Sequence, residues 1–361
     1  MPVTNHTGAI FVSLFNKNIH FCVEVKVTHQ SVKRMKSKIF VGTVLFTLLL
    51  TYTSEAQRRR KTPFEQYSTV NFGLGTSSYL GELAPYRTPV RTVFSMMRWN
   101  VNGSYTRHFT PHLAARLGLT WARLAGDDEY YNRGGNPYPS FYVRNLHFRN
   151  DAKELSLVGI FKLRGDGRSP NRRIAFSPYL FGGVALLAHN PKAKTPDSPE
   201  FDNKWVALQP LGTEGQGQPG YAKPYSLVTY SIPFGAGFTW KINAEWNISI
   251  EGGFRFSGSD YLDDVGGLFP DPTVLKTPLA RAMSNRTLEP ISARTGQDRT
   301  DIVRRITQPN ADPSVDPFAD PLGGWQQGDY RGSPTRNDQY LLSSITVSYI
   351  LPSKIKCPPI R

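Results

Sequence analysis

The chain has almost no cysteine: its 361 residues include only Cys22 and Cys357. Two such distant thiols offer no disulfide framework and no Cys/His metal-ligand spacing. Long apolar runs are also missing. Residues 39–50 form the one marked apolar stretch, too short to cross a bilayer as a helix. A hydrophobic content of 39% likewise excludes a bundle of membrane helices. It does not exclude a membrane β-barrel, whose strands spend only every second residue on lipid. Acidic residues are in deficit, 28 against 43 Lys and Arg, for a formal charge of +15.

What is present begins with an export signal. From Met35 the chain reads MKSKIFVGTVLFTLLLTYTSEAQ, a basic start, an apolar segment and a small-x-small site. Cleavage is expected between Ala56 and Gln57, with residues 35–56 as signal peptide. Residues 1–34 show no pattern and read as an over-extended start; a real extension with an internal signal anchor is the alternative. Removing residues 1–56 takes away six Lys/Arg and two Asp/Glu, which lowers the charge from +15 to +11. Cys357 alone remains, so no intrachain disulfide is expected, and no Cys follows the cleavage site to carry a lipid anchor. A basic protein often binds nucleic acid. Export argues against that, and an anionic lipid or lipopolysaccharide surface is the expected partner.

Eight alternating segments follow, at residues 69–80, 98–109, 112–124, 152–163, 174–188, 234–240, 246–256 and 339–351. At about ten residues, most have the length of a tilted membrane strand. In the second, Trp99, Val101, Tyr105 and Phe109 share one face, and Asn100, Asn102, Ser104 and His108 the other. The fifth is apolar on both faces, so its register stays open. Connections at Thr110-Pro111, RGDGRSPNRR and KINAE are short; those at 81–97, 125–151, 189–226 and 258–338 are long. Short and long alternate, the layout of an all-β, eight-stranded antiparallel transmembrane barrel with long external loops. The barrel is expected over residues 69–351, after a periplasmic segment 57–68 and before a periplasmic tail 352–361. Loop 258–338 is either folded over the barrel mouth or mobile.

Aromatic placement favours lipid over a soluble core. Trp240 and Trp246 flank the short KINAE turn, level with Phe109, while Trp99 and Trp121 fall at the opposite strand ends. Two girdles result, because amphipathic rings prefer the headgroup level. The other face carries Arg116, Glu154, Lys162, Glu251 and Arg255, expected to form a charge network filling the lumen, since buried charges need partners.

Motifs for chemistry are weak. GQGQPG (residues 215–220) fits G-x-G-x-x-G but holds Pro219 and follows no buried strand, which argues against a dinucleotide site. His147, His189, Asp127, Asp128 and Asp260 lie near the outer rim, where some barrels place catalytic groups; solvated loop residues are the plainer reading. GDDEYYN and SDYLDDVGG cluster carboxylates that can bind Ca²⁺, though without EF-hand spacing, and turn chemistry is the simpler account. No cofactor, catalytic residue or metal is expected.

Three segments carry a family resemblance: YLGEL (residues 79–83), the Asp260-Tyr261-Leu262-Asp263-Asp264-Val265 run, and the end strand DQYLLSSITVSYIL. With the signal peptide they resemble the small outer-membrane barrels of Bacteroidetes related to PorG, associated with type IX secretion and gliding. The resemblance spans residues 64–351. It implies a non-enzymatic anchor or scaffold attached to periplasmic ring proteins, and no catalytic residues. The alternative is a barrel acting through its external loops as receptor, adhesin or rim enzyme.

Overall fold

The computed structural model describes residues 63–84, 89–132, 140–312, 314–318 and 326–351. The expectations for residues 1–34, the signal peptide, the Ala56–Gln57 cleavage and the tail 352–361 lie outside the described residues, as does the first half of 57–68.

Alternation of small or polar with large apolar residues produces strands here. The longest reads HFRNDAKELSLVGIFK; from Lys153 to Phe161 its odd positions are exposed, while Ala152, Glu154, Ser156, Val158, Ile160 and Lys162 are buried. That period of two puts one residue set outside and the other inside. The strands are β1 (Tyr67–Leu80), β2 (Arg98–His108), β3 (Leu113–Asp127), β4 (His147–Lys162) and β5 (Phe176–Ala188). A small hairpin of β6 (Pro191–Lys194) and β7 (Trp205–Ala207) precedes β8 (Val228–Lys241), β9 (Trp246–Ser257) and β10 (Gln339–Leu351). Setting β6 and β7 aside, each strand pairs antiparallel with the next, β5 with β8, and β10 returns to β1. The result is a closed, eight-stranded antiparallel barrel.

Its outer wall is apolar. Phe72, Leu74, Leu117, Leu119, Leu157, Val184, Leu186, Ile250, Phe254 and Ile345 all stand exposed. An apolar belt of this extent is not a water-facing surface. Inside, the interior is less polar than the sequence suggested. Ala114, Val158, Ile160, Tyr179 and Phe181 form a buried cluster towards the short-turn end. This settles the register of β5: Tyr179, Phe181, Ala185 and Leu187 point inward, and Leu180, Val184 and Leu186 outward. Both faces of β5 are apolar because its inner face packs the lumen with rings.

Two boundaries differ from the alternating pattern. β3 and β4 climb beyond the expected 124 and 152 to pair Asp127 with His147. Alternation fails there because loops cover both faces, and Leu124, Ala125, Gly126 and Asp127 are all buried. β8 begins before the 234–240 run. Pro233 obscures its first half in the sequence; having no N–H, it cannot donate to the ladder, and no pairing with β5 is made between Gly182–Phe234 and Ala185–Ser231.

The described residues of loop 258–338 are folded. They include helices α3 (Pro278–Ser284) and α4 (Thr300–Thr307). Two further helices, α1 (Pro89–Ser95) and α2 (Phe141–Arg144), belong to the first two long loops.

Candidate functional site

The expected lumen charges separate into pairs. Arg116 Nη1 lies 2.7 Å from Glu251 Oε2, which also accepts the Tyr179 hydroxyl at 2.9 Å. Arg255 Nε stands 3.7 Å from Glu154 Oε2, and Tyr340 and Ser231 donate to the same oxygen at 2.7 and 3.3 Å. Both guanidinium groups flank the Phe181 ring, at 5.3 and 5.8 Å. Lys162 departs from the expectation. It pairs at 2.5 Å with Asp166 of the RGDGRSPNRR turn, which also accepts Tyr67 at 2.7 Å. The single network is therefore two pairs around one ring and a third at the turn end. The interior space between Arg116, Phe181, Glu251 and Arg255 is about 30 Å³, room for about two waters rather than a column of them.

The aromatic positions fall at two levels. Trp99 and Trp121 meet edge-on at 5.2 Å near the long loops, with Arg123 over the Trp99 face. At the short-turn end Trp240 packs on Phe176, Trp246 on Tyr349, and Phe109 is exposed.

Above the strands, buried arginines join the four long loops. Arg144 binds Asp128 through two nitrogens and donates to the carbonyls of Glu82 and Arg331. Arg299 donates to the carbonyls of Tyr142, Val143, Arg286, Thr287 and Glu289. Arg331 reaches Glu214, Ser284 and the Asp264 carbonyl. Arg144, Arg299 and Arg331 thus staple the loops from within. The glycines of GQGQPG serve the same cap. Gly215, Gly217 and Gly220 have positive φ, which L-residues with side chains rarely adopt, and their turns carry Glu214 to the Gly266 N–H and Arg331.

Beneath this cap lies a second cluster, directly over the β1–β10 seam. Tyr79 and Glu82 come from YLGEL, Asp263 from the Asp260–Val265 run, and Asp338 from the start of the end strand. The Tyr79 hydroxyl lies 2.6 Å from Asp263 Oδ2 and 2.5 Å from Asp338 Oδ1. One phenolic proton serves only one of these oxygens; the other contact requires a further proton or a cation. Asp338 Oδ2 accepts the Leu262 N–H at 2.8 Å and Asp263 Oδ1 the Val265 N–H at 2.9 Å. The next residue, Asp264, takes φ +70° and turns away to Thr213, Tyr225 and Arg331. An Asp tolerates this left-handed conformation better than most residues.

Charge is unevenly matched here. Asp128 has Arg144, and Asp264 and Glu214 share Arg331. Glu82, Asp263 and Asp338 have no salt-bridge partner among the described residues. Burial pushes the Glu82 carboxyl up to about 7, although nearby backbone N–H groups and Arg144 pull it back. Asp263 is raised by burial and by the Glu82 charge, Asp338 by burial and by Asp263. Half-buried Asp260 rises to about 9 through burial and the neighbouring acids. Glu82 and Asp338 were not singled out in the sequence reading; each is a lone acid beside a strand end, and only strand pairing brings them together.

The other rim candidates are scattered. His147 Nε2 accepts the Lys194 N–H at 3.0 Å and its ring meets Trp205 edge-on. His189 stacks on Tyr225, and Asp127 pairs with Arg294.

No family model and no curated protein matches the chain. Solved structures similar to it include the N-terminal β-barrel domain of Pseudomonas aeruginosa OprF, at 8% identity and TM-score 0.30, covering 80% of this chain and 98% of that one. Neisserial surface protein A matches at 8% identity and TM-score 0.33, covering 78% and 96%. A major outer membrane protein from Thermus thermophilus matches at 11% and 0.34, covering 79% and 99%. The barrel assignment rests on the chain's own strand pairing.

Proposed function

We propose that the chain is a non-enzymatic outer-membrane β-barrel that serves as an anchor or scaffold in a type IX secretion-like envelope complex. The observation that carries the membrane part is the exposed apolar belt around a closed barrel, with aromatic rings at both margins. Such a belt is stable in lipid and insoluble in water. The packed lumen favours a structural role over conduction. The secretion role itself draws on the family resemblance of the YLGEL, Asp260–Val265 and end-strand segments. In this reading the short turns face the periplasm and, with the basic segment behind Gln57, meet the periplasmic ring proteins.

Fractionation should place the protein in the outer membrane, and unheated and boiled samples should migrate differently on gels. A soluble periplasmic location would end the proposal. A tagged barrel pulled from solubilised membranes should bring ring proteins with it; recovery of none argues against the scaffold. The folded cap supports a second reading, action through the loops as receptor, adhesin or rim enzyme. Removing residues 270–335 separates the two: secretion survives if the barrel is a scaffold, and a loop-borne role is lost.

A further inference from the structure

We infer that Glu82, Asp263 and Asp338 form a calcium-binding site that fastens the loops over the β1–β10 seam. One potential ligand oxygen from each lies within 4.8 Å of the others. Ca²⁺ holds oxygens at about 2.3–2.6 Å, so ligands on opposite sides of one ion stand roughly 4.6–5.2 Å apart. Mg²⁺, at about 2.0–2.1 Å, demands a tighter octahedron and keeps its waters. Zn²⁺ sites usually include Cys or His, and this group holds carboxylates alone.

One observation independent of the acidic composition points to a ligand. Glu82 is 6% exposed, yet neither of its carboxylate oxygens has a well-formed hydrogen bond among the described residues. An ionised carboxylate so placed is costly without a cation. Gly81 lets Tyr79 and Asp338 close on each other: a Cβ there would stand 1.7 Å from the Tyr79 hydroxyl oxygen and 2.2 Å from Asp338 Oδ1. Asp260, beside the cluster, is half-buried. The three chain segments that carry the family resemblance thus meet at one point, for which the scaffold role supplies no reason. The inference stands apart from the secretion reading and holds whether or not ring proteins bind.

The test uses the purified mature chain in detergent or nanodiscs, stripped with EGTA and titrated with CaCl₂ by calorimetry and with Tb³⁺ by luminescence. One saturable site per chain is expected, in the roughly 10⁻⁴–10⁻³ M range of extracellular modules. Calcium should also slow protease cleavage within loop 258–338. Glu82→Gln and Asp263→Asn should each weaken binding at least about tenfold, as loss of a charged ligand does. Asp301→Asn, at an exposed loop position, should leave it unchanged. The heat shift on gels confirms that each variant barrel is folded. Wild-type protein without saturable binding up to about 10 mM Ca²⁺, ten times the weak end of that range, overturns the proposal. So does binding that survives both substitutions. Saturation by Mg²⁺ alone overturns the calcium assignment. A metal-independent protein that Glu82→Gln stabilises would show that shared protons hold the cluster.

Discussion

A lumen charge is tolerated through its partner, and the partner is set by register. Arg116 and Glu251 are each mostly buried and 135 residues apart in sequence. Arg116→Met should therefore cost about 3–5 kcal/mol, because it leaves Glu251 buried without a counter-charge. Adding Glu251→Gln should restore most of that loss, and urea unfolding in detergent would read the cycle. Equal losses in the single and double variants would refute the pairing. The period of two made the inward position of Arg116, Glu154, Glu251 and Arg255 legible in the sequence. Who faces whom was not, since that depends on stagger around a closed wall. Lys162 shows the limit: its partner, Asp166, is four residues away in a turn, where an Asp reads as ordinary turn chemistry.

Among the elements, the β8–β9 hairpin offers the cleanest contrast of faces. Ile250 is exposed at mid-strand, paired with Phe238 and Ile345, while Trp246 opens β9 at the turn. Ile250→Arg should destabilise the barrel by about 2–4 kcal/mol, and Trp246→Arg by only about 0–1, following the depth dependence of lipid-facing arginine. Equilibrium unfolding from vesicles would measure both. Equal costs would mean that the belt does not sit in a bilayer. Elements with a period and a solvent of their own were readable: all eight barrel strands stand in the sequence as alternating runs. The β6–β7 hairpin and the loop helices were not. Their apolar residues are few and closely spaced, and what they pack against is remote in sequence: Val303 meets Tyr142, Val143 and Phe269, and Ala193 meets Leu208 and Met283.

At the scale of the molecule, barrel and cap share a buried core, in which Tyr79, Phe148, Leu187 and Tyr340 of the strands cluster with Leu83, Leu262 and Val265 of the loops, and buried arginines add to it. Arg299 alone ties α2 to the segment before α4 through five carbonyls. Arg299→Met should accelerate hydrogen exchange in residues 140–145 and 286–307 by about tenfold or more, as carbonyls lose their donors. The barrel's gel shift should not change. Loss of both together would show a single cooperative unit. The fastening at Tyr79 bears on how such a unit is made. Its hydroxyl reaches Asp338 across 259 residues of chain, at the joint where the first and last strands meet. Closing a contact so remote in sequence carries a large chain-entropy cost. A clasp outside the lipid, over that joint, resists reopening of the barrel where its first and last strands meet.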